Sequence, residues 1–323
     1  STPAATADAA STADASSAAD DSSAAEIPAY KVYNIGICQL VQHEALDAAT
    51  QGFKDVLTEK LGADHVKFDE QNANGESTNC TTICTGFAAS GVDLILANAT
   101  GALQAASAAT ATIPILGTSV TDYATALSID DWTGATGTNI SGTSDLAPID
   151  EQAKMLLEMF PDVKQVGILY CSAEANSKYQ ATLFANALAD AGVACKEYSA
   201  ADTNEISTVC TTAIGECDVL YLPTDNTMAS STETIKNIGV PAGIPVIAGE
   251  EGICRGCGVA TLSISYEDLG RATGEMAYEI LVEGADISTM DVRFAPNVTK
   301  KYNASICAEL GITAPEGYEA IAE

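Results

Sequence analysis

The sequence predicts an α/β protein made of two similar lobes, each a parallel sheet covered by helices. Three observations carry this. Apolar runs of strand length alternate with helix-length segments along most of the chain, the pattern of parallel sheets buried on both faces. The alternation runs once to about residue 144 and then starts again. Landmarks recur in the same order in the two halves: "NIGIC" is matched by "QVGILYC", "VDLILANAT" by "CDVLYLPTD", and "IPILGTSVTD" by "IPVIAGEEG".

In the first half "KVYNIGICQL" reads as a buried strand. "EALDAATQGFKDVLTEKLG" follows as a helix, with Leu46, Ala49, Phe53, Val56, Leu57 and Leu61 at helical spacing and Gly62 as a stop. "HVKFDEQNA" is a strand, "ESTNCTTICTGFAASG" a helix closed by Gly91, "DLILANA" a strand leading into an Ala-rich helix, and "IPILGTSV" and "TGTNISG" two more strands. In the second half the helix "IDEQAKMLLEMFP" stops at Pro161, and strands are expected in "QVGILYC", "ACKEYSA", "DVLYLPT", "IPVIAGE" and "GVATLSIS". Between them lie the helices "SKYQATLFANALADAG", "NEISTVCTTAIG" and "TMASSTETIKNIGV", and "YEDLGRATGEMAYEILVEG" is a long helix.

The first 29 residues are of another kind. They are mainly Ala, Ser, Thr and Asp, with five acidic groups and no basic one. Such a segment buries too little surface to offset its ordering entropy, so residues 1–29 are expected to be a disordered acidic tether. The chain begins at Ser1, as a processed chain would, and a bacterial lipoprotein anchored through a lipidated Cys preceding Ser1 fits that start. The stretch from Leu94 to Thr121 is uncharged but rich in Thr, Ser, Asn and Gln and contains Pro114, so strand–helix–strand explains it better than a membrane span.

Charge and missing motifs exclude several functions. With 14 basic against 44 acidic residues the net charge is −30, which repels phosphate backbones and argues against nucleic-acid binding. His43 and His65 are the two histidines, "GxxxxGK[ST]" is absent, and no G-x-G-x-x-G follows the first strand of either half. No catalytic residue, cofactor or metal is therefore expected. Of ten cysteines, Cys254 and Cys257 form the one C-x-x-C. Lacking a second pair, they read as a local disulfide or two free thiols rather than a zinc site. Cys80 and Cys84 lie one helical turn apart, and Cys38, Cys171, Cys195, Cys210, Cys217 and Cys307 sit in or beside apolar stretches as small hydrophobes.

In open parallel sheets ligands sit beyond the carboxyl ends of the strands. Two such edges facing each other make a cleft suited to a small molecule. The expected liners are the polar residues at these ends. In the first lobe they are Gln39, Gln42 and His43, Thr100 and Gly101, and Ser119, Thr121 and Asp122. In the second they are Ser172, Glu174, Asn176 and Ser177, Thr224, Asp225 and Asn226, and Glu250 and Glu251. Each has an ordinary alternative. Thr100, Asp225 and the "CSAEANS" turn could simply cap helices, and a lone His is often structural. Tyr123, Trp132, Tyr170 and Tyr266 could wall the cleft, but core packing suits each better.

Taken in order, "ICQLVQHEALDAATQGFKD", "ANATGALQAA", "GTSVTD", "GTSDLAP", "LYCSAEANS", "YLPTDNTMAS" and "GEEG" resemble the tryptophan/tyrosine-type substrate-binding proteins of bacterial ABC transporters. The resemblance covers residues 30–300. It implies a periplasmic-binding type I fold: two Rossmann-like lobes joined by three crossovers and hinged to close on a ligand. It places lobe 1 at 30–144 plus about 266–295 and lobe 2 at 145–265 plus about 296–323, with crossovers near Asp145, Ser265 and Pro296. It implies capture of an aromatic amino acid (Trp, Tyr or Phe) and delivery to a membrane permease, by a monomeric, extracytoplasmic protein. The family often has Pro where Glu44 stands here.

On that reading Thr100 and Gly101, with Ser119 and Thr121, would hold the α-carboxylate. Asp225 would pair with the ammonium, with Glu250 and Glu251 as rivals and Asp122 a weaker candidate. The "CSAEANS" turn would clamp the ligand, and Gln39, Gln42 and His43 would border the side chain. A binding protein for a nucleoside, sugar or other amino acid is the alternative. An enzyme on the same scaffold finds no nucleophile or metal motif to support it.

Overall fold

The computed structural model describes residues 31–295 and 297–322. The expected tether at 1–29 and Pro296 lie outside the described residues. The first half runs β1 (Tyr33–Gln39), α1 (Glu44–Leu61), β2 (Val66–Asn72), α2 (Ser77–Ser90), β3 (Leu94–Asn98), α3 (Thr100–Ala109), β4 (Ile115–Val120), α4 (Tyr123–Leu127) and β5 (Ile140–Ser144). The second begins with α5 (Ile149–Met159), β6 (Gln165–Cys171), α6 (Ala175–Asp190), β7 (Ala194–Ala200) and α7 (Ile206–Ile214). It continues through β8 (Val219–Leu222), α8 (Asn226–Ala229), α9 (Thr232–Gly239), β9 (Val246–Ala248), α10 (Glu251–Cys257) and β10 (Ala260–Ile264). The chain ends with α11 (Tyr266–Tyr278), β11 (Arg293–Phe294), β12 (Val298–Tyr302), α12 (Ala304–Leu310) and β13 (Glu319–Ala320).

The strands form two sheets. One has the order β2-β1-β3-β4-β5-β11 and is parallel throughout. The other has the order β7-β6-β8-β9-β10-β12-β13, with β12 antiparallel to β10. Both therefore begin with the same arrangement, the second strand of the lobe outermost and the first beside it. The chain leaves the first sheet after Ser144, returns to that lobe after Ile264, and rejoins the second sheet between Phe294 and Val298.

The repeat reaches down to single hydrogen bonds. Asp93 before β3 accepts from the Asn34 amide at 2.8 Å, and Asp218 before β8 accepts from the Lys164 and Gln165 amides at 2.9 and 3.0 Å. In each lobe this acid fixes the start of the central strand, orphan amides being costly to leave unpaired.

The face of α1 read from its spacing is buried: Leu46, Ala49, Phe53, Val56, Leu57 and Leu61 are all inside. Gly62 ends the helix at φ 89°, a conformation that favours glycine. Against this face lies α11, approaching so closely that a β-carbon on Gly270 would stand 2.0 Å from the Ala49 carbonyl oxygen. Two expectations of the helix pattern are corrected. The single helix expected over 227–240 is two, α8 and α9, parted at Ser230 and Ser231. Ser230 bonds the Thr227 carbonyl with its own hydroxyl, a competitor to the helix ladder, and α9 restarts at Thr232, against which Gly256 of α10 packs. The long helix from Tyr266 keeps α-geometry only to Tyr278 and widens to a π-turn over Glu279–Glu283.

Candidate functional site

Between the lobes lies a small chamber of about 10 Å³, lined by His43, Leu46, Ser119, Asp145 and Tyr266, and by Asn176, Thr224, Asp225, Asn226, Ala229 and Glu250 from the other side. Nearly all of these follow the carboxyl end of a strand. Asn176 and Asn226 also border a wider cleft of about 650 Å³ that is open to solvent. Its walls include Leu40, Val41, Thr100, Gly101, Ala105 and Glu174.

The first lobe presents Ser119 through an unusual backbone. The register between β4 and β5 shifts between Gly117 and Val120, a bulge of the kind that re-aims a side chain. Ser119 itself sits at φ 55°, and Ala99, before α3, at φ 93°. Such conformations in non-glycine residues cost on the order of 1–3 kcal/mol and collect at functional sites. Ser119 is 6% exposed, and its hydroxyl has no protein partner. The hydroxyls of Thr224, in the opposite wall, and Thr100, beside the wider cleft, are likewise buried and unpaired. Buried polar atoms normally find partners, so three orphans around one cleft mark places where a ligand's acceptors fit.

Three buried carboxylates face the chamber. Asp225 takes the Cys171 amide at 2.6 Å and the Met228 amide at 2.8 Å. Burial, and then the nearby charge of Glu174, push its pKa up to about 8. Glu250 caps α10, accepting from Gly252 and Ile253, and burial raises it to about 7. Asp145 accepts from Thr121 at 2.9 Å and from the Tyr266 hydroxyl at 2.8 Å, and burial raises it too. No Lys or Arg is among the chamber's described lining residues. Burial lowers the pKa of His43. The chamber therefore carries a negative potential that is relieved by protonation or by a cationic guest.

Glu174 organises the second wall without lining the chamber. It accepts from both the amide and the side chain of Asn226 (3.1 and 2.7 Å) and of Thr227 (2.8 and 2.7 Å). With its Nδ2 committed to Glu174, Asn226 turns Oδ1 to His43 Nε2 at 3.1 Å. His43 must then donate from Nε2. This bond crosses from one lobe to the other, as does Gln180 Nε2 to Thr121 Oγ1 at 3.3 Å. The lobes are in direct contact, and the site is closed.

Of the residues expected from sequence, His43, Ser119, Asn176, Thr224, Asp225, Asn226 and Glu250 come together around the chamber. Thr100, Gly101 and Glu174 border the wider cleft, and Gln42 an opening beside His43. The rest do not reach the chamber. Gln39 is buried beneath α1, bonding Asp47, Thr50 and the Val41 carbonyl. Thr121 supports Asp145, and Asp122 caps α4. Ser172 is exposed and leans on the Ala200 carbonyl, while Ser177 is buried with Asn176 as its neighbour. Glu251 points outward to Lys301 and Arg255. Tyr123 and Tyr170 are core residues that do not line the chamber, and Trp132 stacks on Tyr123 at 6.4 Å. Tyr266 lines the chamber and is buried as well.

Sequence reasoning missed Leu46, Ala229 and Asp145 as liners. The signal for Asp145 was its place just after β5, where the chain passes from the first sheet toward the second. All ten cysteines are free, which decides between the two readings of Cys254 and Cys257. Both thiols are buried in α10.

A family model for ABC transporter substrate binding proteins matches residues 34–323. A tyrosine-binding protein of Clostridioides difficile (strain R20291) is 36% identical over 264 residues, 81% of this chain and 76% of that protein. A structure from Streptococcus pneumonia in complex with L-Trp is 31% identical, with TM-score 0.86 over 90% of this chain and 100% of that one. The ligand-free, open structure of a substrate-binding protein with adhesive properties from Clostridium difficile is 36% identical but superposes at TM-score 0.68, over 90% and 99%. The less similar sequence gives the better superposition, which is how a difference in lobe arrangement registers. It agrees with the closed cleft seen here. The fold is that of the type I periplasmic-binding proteins, and among the described residues no helix is long and apolar enough to cross a membrane. By its matched length, its two-lobed fold and its closed inter-lobe chamber, the chain belongs to the ABC transporter substrate-binding protein family.

Proposed function

We propose that the protein captures an aromatic amino acid (Tyr, Trp or Phe) between its lobes, with the ammonium in the chamber and the side chain in the wider cleft, and hands it to the permease of an ABC importer. The observation that carries this reading is the chamber's composition: three buried carboxylates, no Lys or Arg among the described lining residues, and an unpaired hydroxyl from each lobe. The ammonium sits against Asp225 and Glu250, with Asp145 behind it. The α-carboxylate accepts from Ser119 and Thr224. The side chain extends past Asn176 and Asn226 toward Leu40, Val41 and Ala105 in the wider cleft. Charge-assisted bonds at both ends replace the water that the zwitterion loses. The tyrosine-binding relative and the L-Trp complex support an aromatic guest.

The protein acts as a monomer without catalysis, outside the cytoplasm. A sugar is the weaker guest, because Tyr266 is the one aromatic among the described lining residues. The test is calorimetry of refolded protein against the twenty amino acids, nucleosides and sugars. Binding of L-tyrosine or L-tryptophan with the others weak or silent is the expected result. Silence to all aromatic amino acids, or tight binding of a sugar or nucleoside, would end this reading.

A further inference from the structure

Outside the chamber, on the rim of the closed cleft, one cation reaches from the second lobe to the first. Arg255 on α10 meets Glu44, the first residue of α1, through two parallel contacts: Nε to Oε2 at 2.9 Å and Nη2 to Oε1 at 2.8 Å. On its own lobe the guanidinium is already held. Nη2 bonds Glu251 at 3.0 Å, Nη1 bonds the Ala322 carbonyl, and Glu251 is in turn paired with Lys301. Only Glu44 has to arrive from the other lobe. The two rims touch at Gly252, where a β-carbon would stand 3.4 Å from Glu44 Cβ and 3.1 Å from the Glu250 carboxylate. The absence of a side chain there lets the helix starts meet. His43, Gln42, Glu44, Glu250, Gly252 and Arg255 together ring one mouth of the site.

We propose that Glu44 and Arg255 form an ion-pair clasp that sets how long the closed lobes retain their ligand, without either residue touching it. This rests on the amino-acid-binding reading. In an open protein both groups are hydrated and apart, so the pair contributes to the closed state alone. A contact of that kind shifts the open–closed equilibrium by its own free energy and acts on release more than on capture. The bidentate geometry favours the pair. Its partial exposure, 36% for Arg255 and 49% for Glu44, makes it sensitive to salt. Salt alone is an ambiguous probe, because a chain of net charge −30 also has lobes that repel each other. A mutant cycle removes the ambiguity.

The experiment is stopped-flow release of L-tyrosine, or of L-tryptophan if that binds better, from wild type, E44Q, R255Q and the double variant. At about 0.02 M NaCl each single variant should release ligand about three- to fivefold faster than wild type, the size expected of a half-exposed bidentate pair. The double variant should release no faster than the singles. At about 0.5 M NaCl the four proteins should converge. Unchanged release in E44Q at low salt, or fully additive effects in the double variant, would overturn the clasp. If neither amino acid binds wild type, the functional reading fails, and small-angle scattering of ligand-free wild type and E44Q at low salt decides the clasp. A larger radius of gyration for E44Q supports it, and equal radii overturn it.

Discussion

Replacing Ser119 by Ala separates a ligand-binding hydroxyl from a structural one. The Ser119 hydroxyl is buried in the chamber wall with no protein partner. Its removal therefore breaks no bond within the closed protein, and Ala keeps the β-carbon that the backbone at φ 55° already accommodates. An unsatisfied buried hydroxyl costs about 1–3 kcal/mol, so the ligand-free variant should melt no lower than wild type. With ligand the sign reverses. A hydrogen bond to a charged carboxylate is worth about 1.5–3 kcal/mol, so S119A should weaken binding by about 10- to 150-fold. The assay is titration calorimetry with L-tyrosine and L-tryptophan, paired with a thermal melt of ligand-free protein. Unchanged affinity would show that the hydroxyl does not meet the ligand. A fall in melting temperature alongside affinity would show that it serves the fold instead.

Three other outcomes can be checked directly. Asp225, Glu250 and Asp145 all have pKa values raised by burial, so the closed, ligand-free chain holds protons that the unfolded chain gives up. Their contribution is therefore present at acid pH and is lost as pH rises from the ordinary carboxylate range near 4 toward the value of about 8 at Asp225. A bound ammonium reverses this preference, so binding should release protons and tighten over the same window; equal calorimetric heats in two buffers of different ionisation enthalpy would refute it. Gly270→Ala drives a methyl into the Ala49 carbonyl and should cost about 2–3 kcal/mol in urea denaturation; an unchanged midpoint would mean that α1 and α11 part freely. A thiol reagent should count ten cysteines in guanidinium without reductant and, in the native protein, at most a slow reaction at the half-buried Cys195; a lower denatured count would reveal disulfides.

The fold was legible because its signals are local and repeated. The acids Asp93 and Asp218 mark the same strand start in each lobe, and the α1 face and the Gly62 stop stand in the sequence as they stand in the structure. The site was legible where a polar residue directly follows a strand, as with Asp225, and in Asn226 beside it. It was illegible where the deciding fact is a partner distant in sequence. Glu251 reads the same as Glu250, yet Glu250 caps α10 inside the chamber while Glu251 turns to Lys301, 50 residues away. Gln39 follows the rule for a liner but is taken by Asp47 and Thr50 of the neighbouring helix. Asp145 signals by its own segment only a passage between the sheets, not a chamber wall. Its role depends on Tyr266, 121 residues later, arriving at the same crossover region.

The lack of Lys or Arg among the chamber's described lining residues bears on how occupancy and closure are linked. Had Lys or Arg stood beside Asp225 and Glu250, the acids would be neutralised within the empty site, and the lobes could shut without cargo. As built, closing on nothing strands carboxylates in a dry space, which costs several kcal/mol unless they take up protons. On the proposed reading an amino acid brings the missing positive charge with it, so its ammonium binds the closed form better than the open one. That difference in affinity is what a ligand needs in order to drive a conformational equilibrium. On the proposed reading, solutes without a cation can offer the acids only neutral hydrogen bonds and relieve less of the closing cost, so the chamber favours the zwitterion.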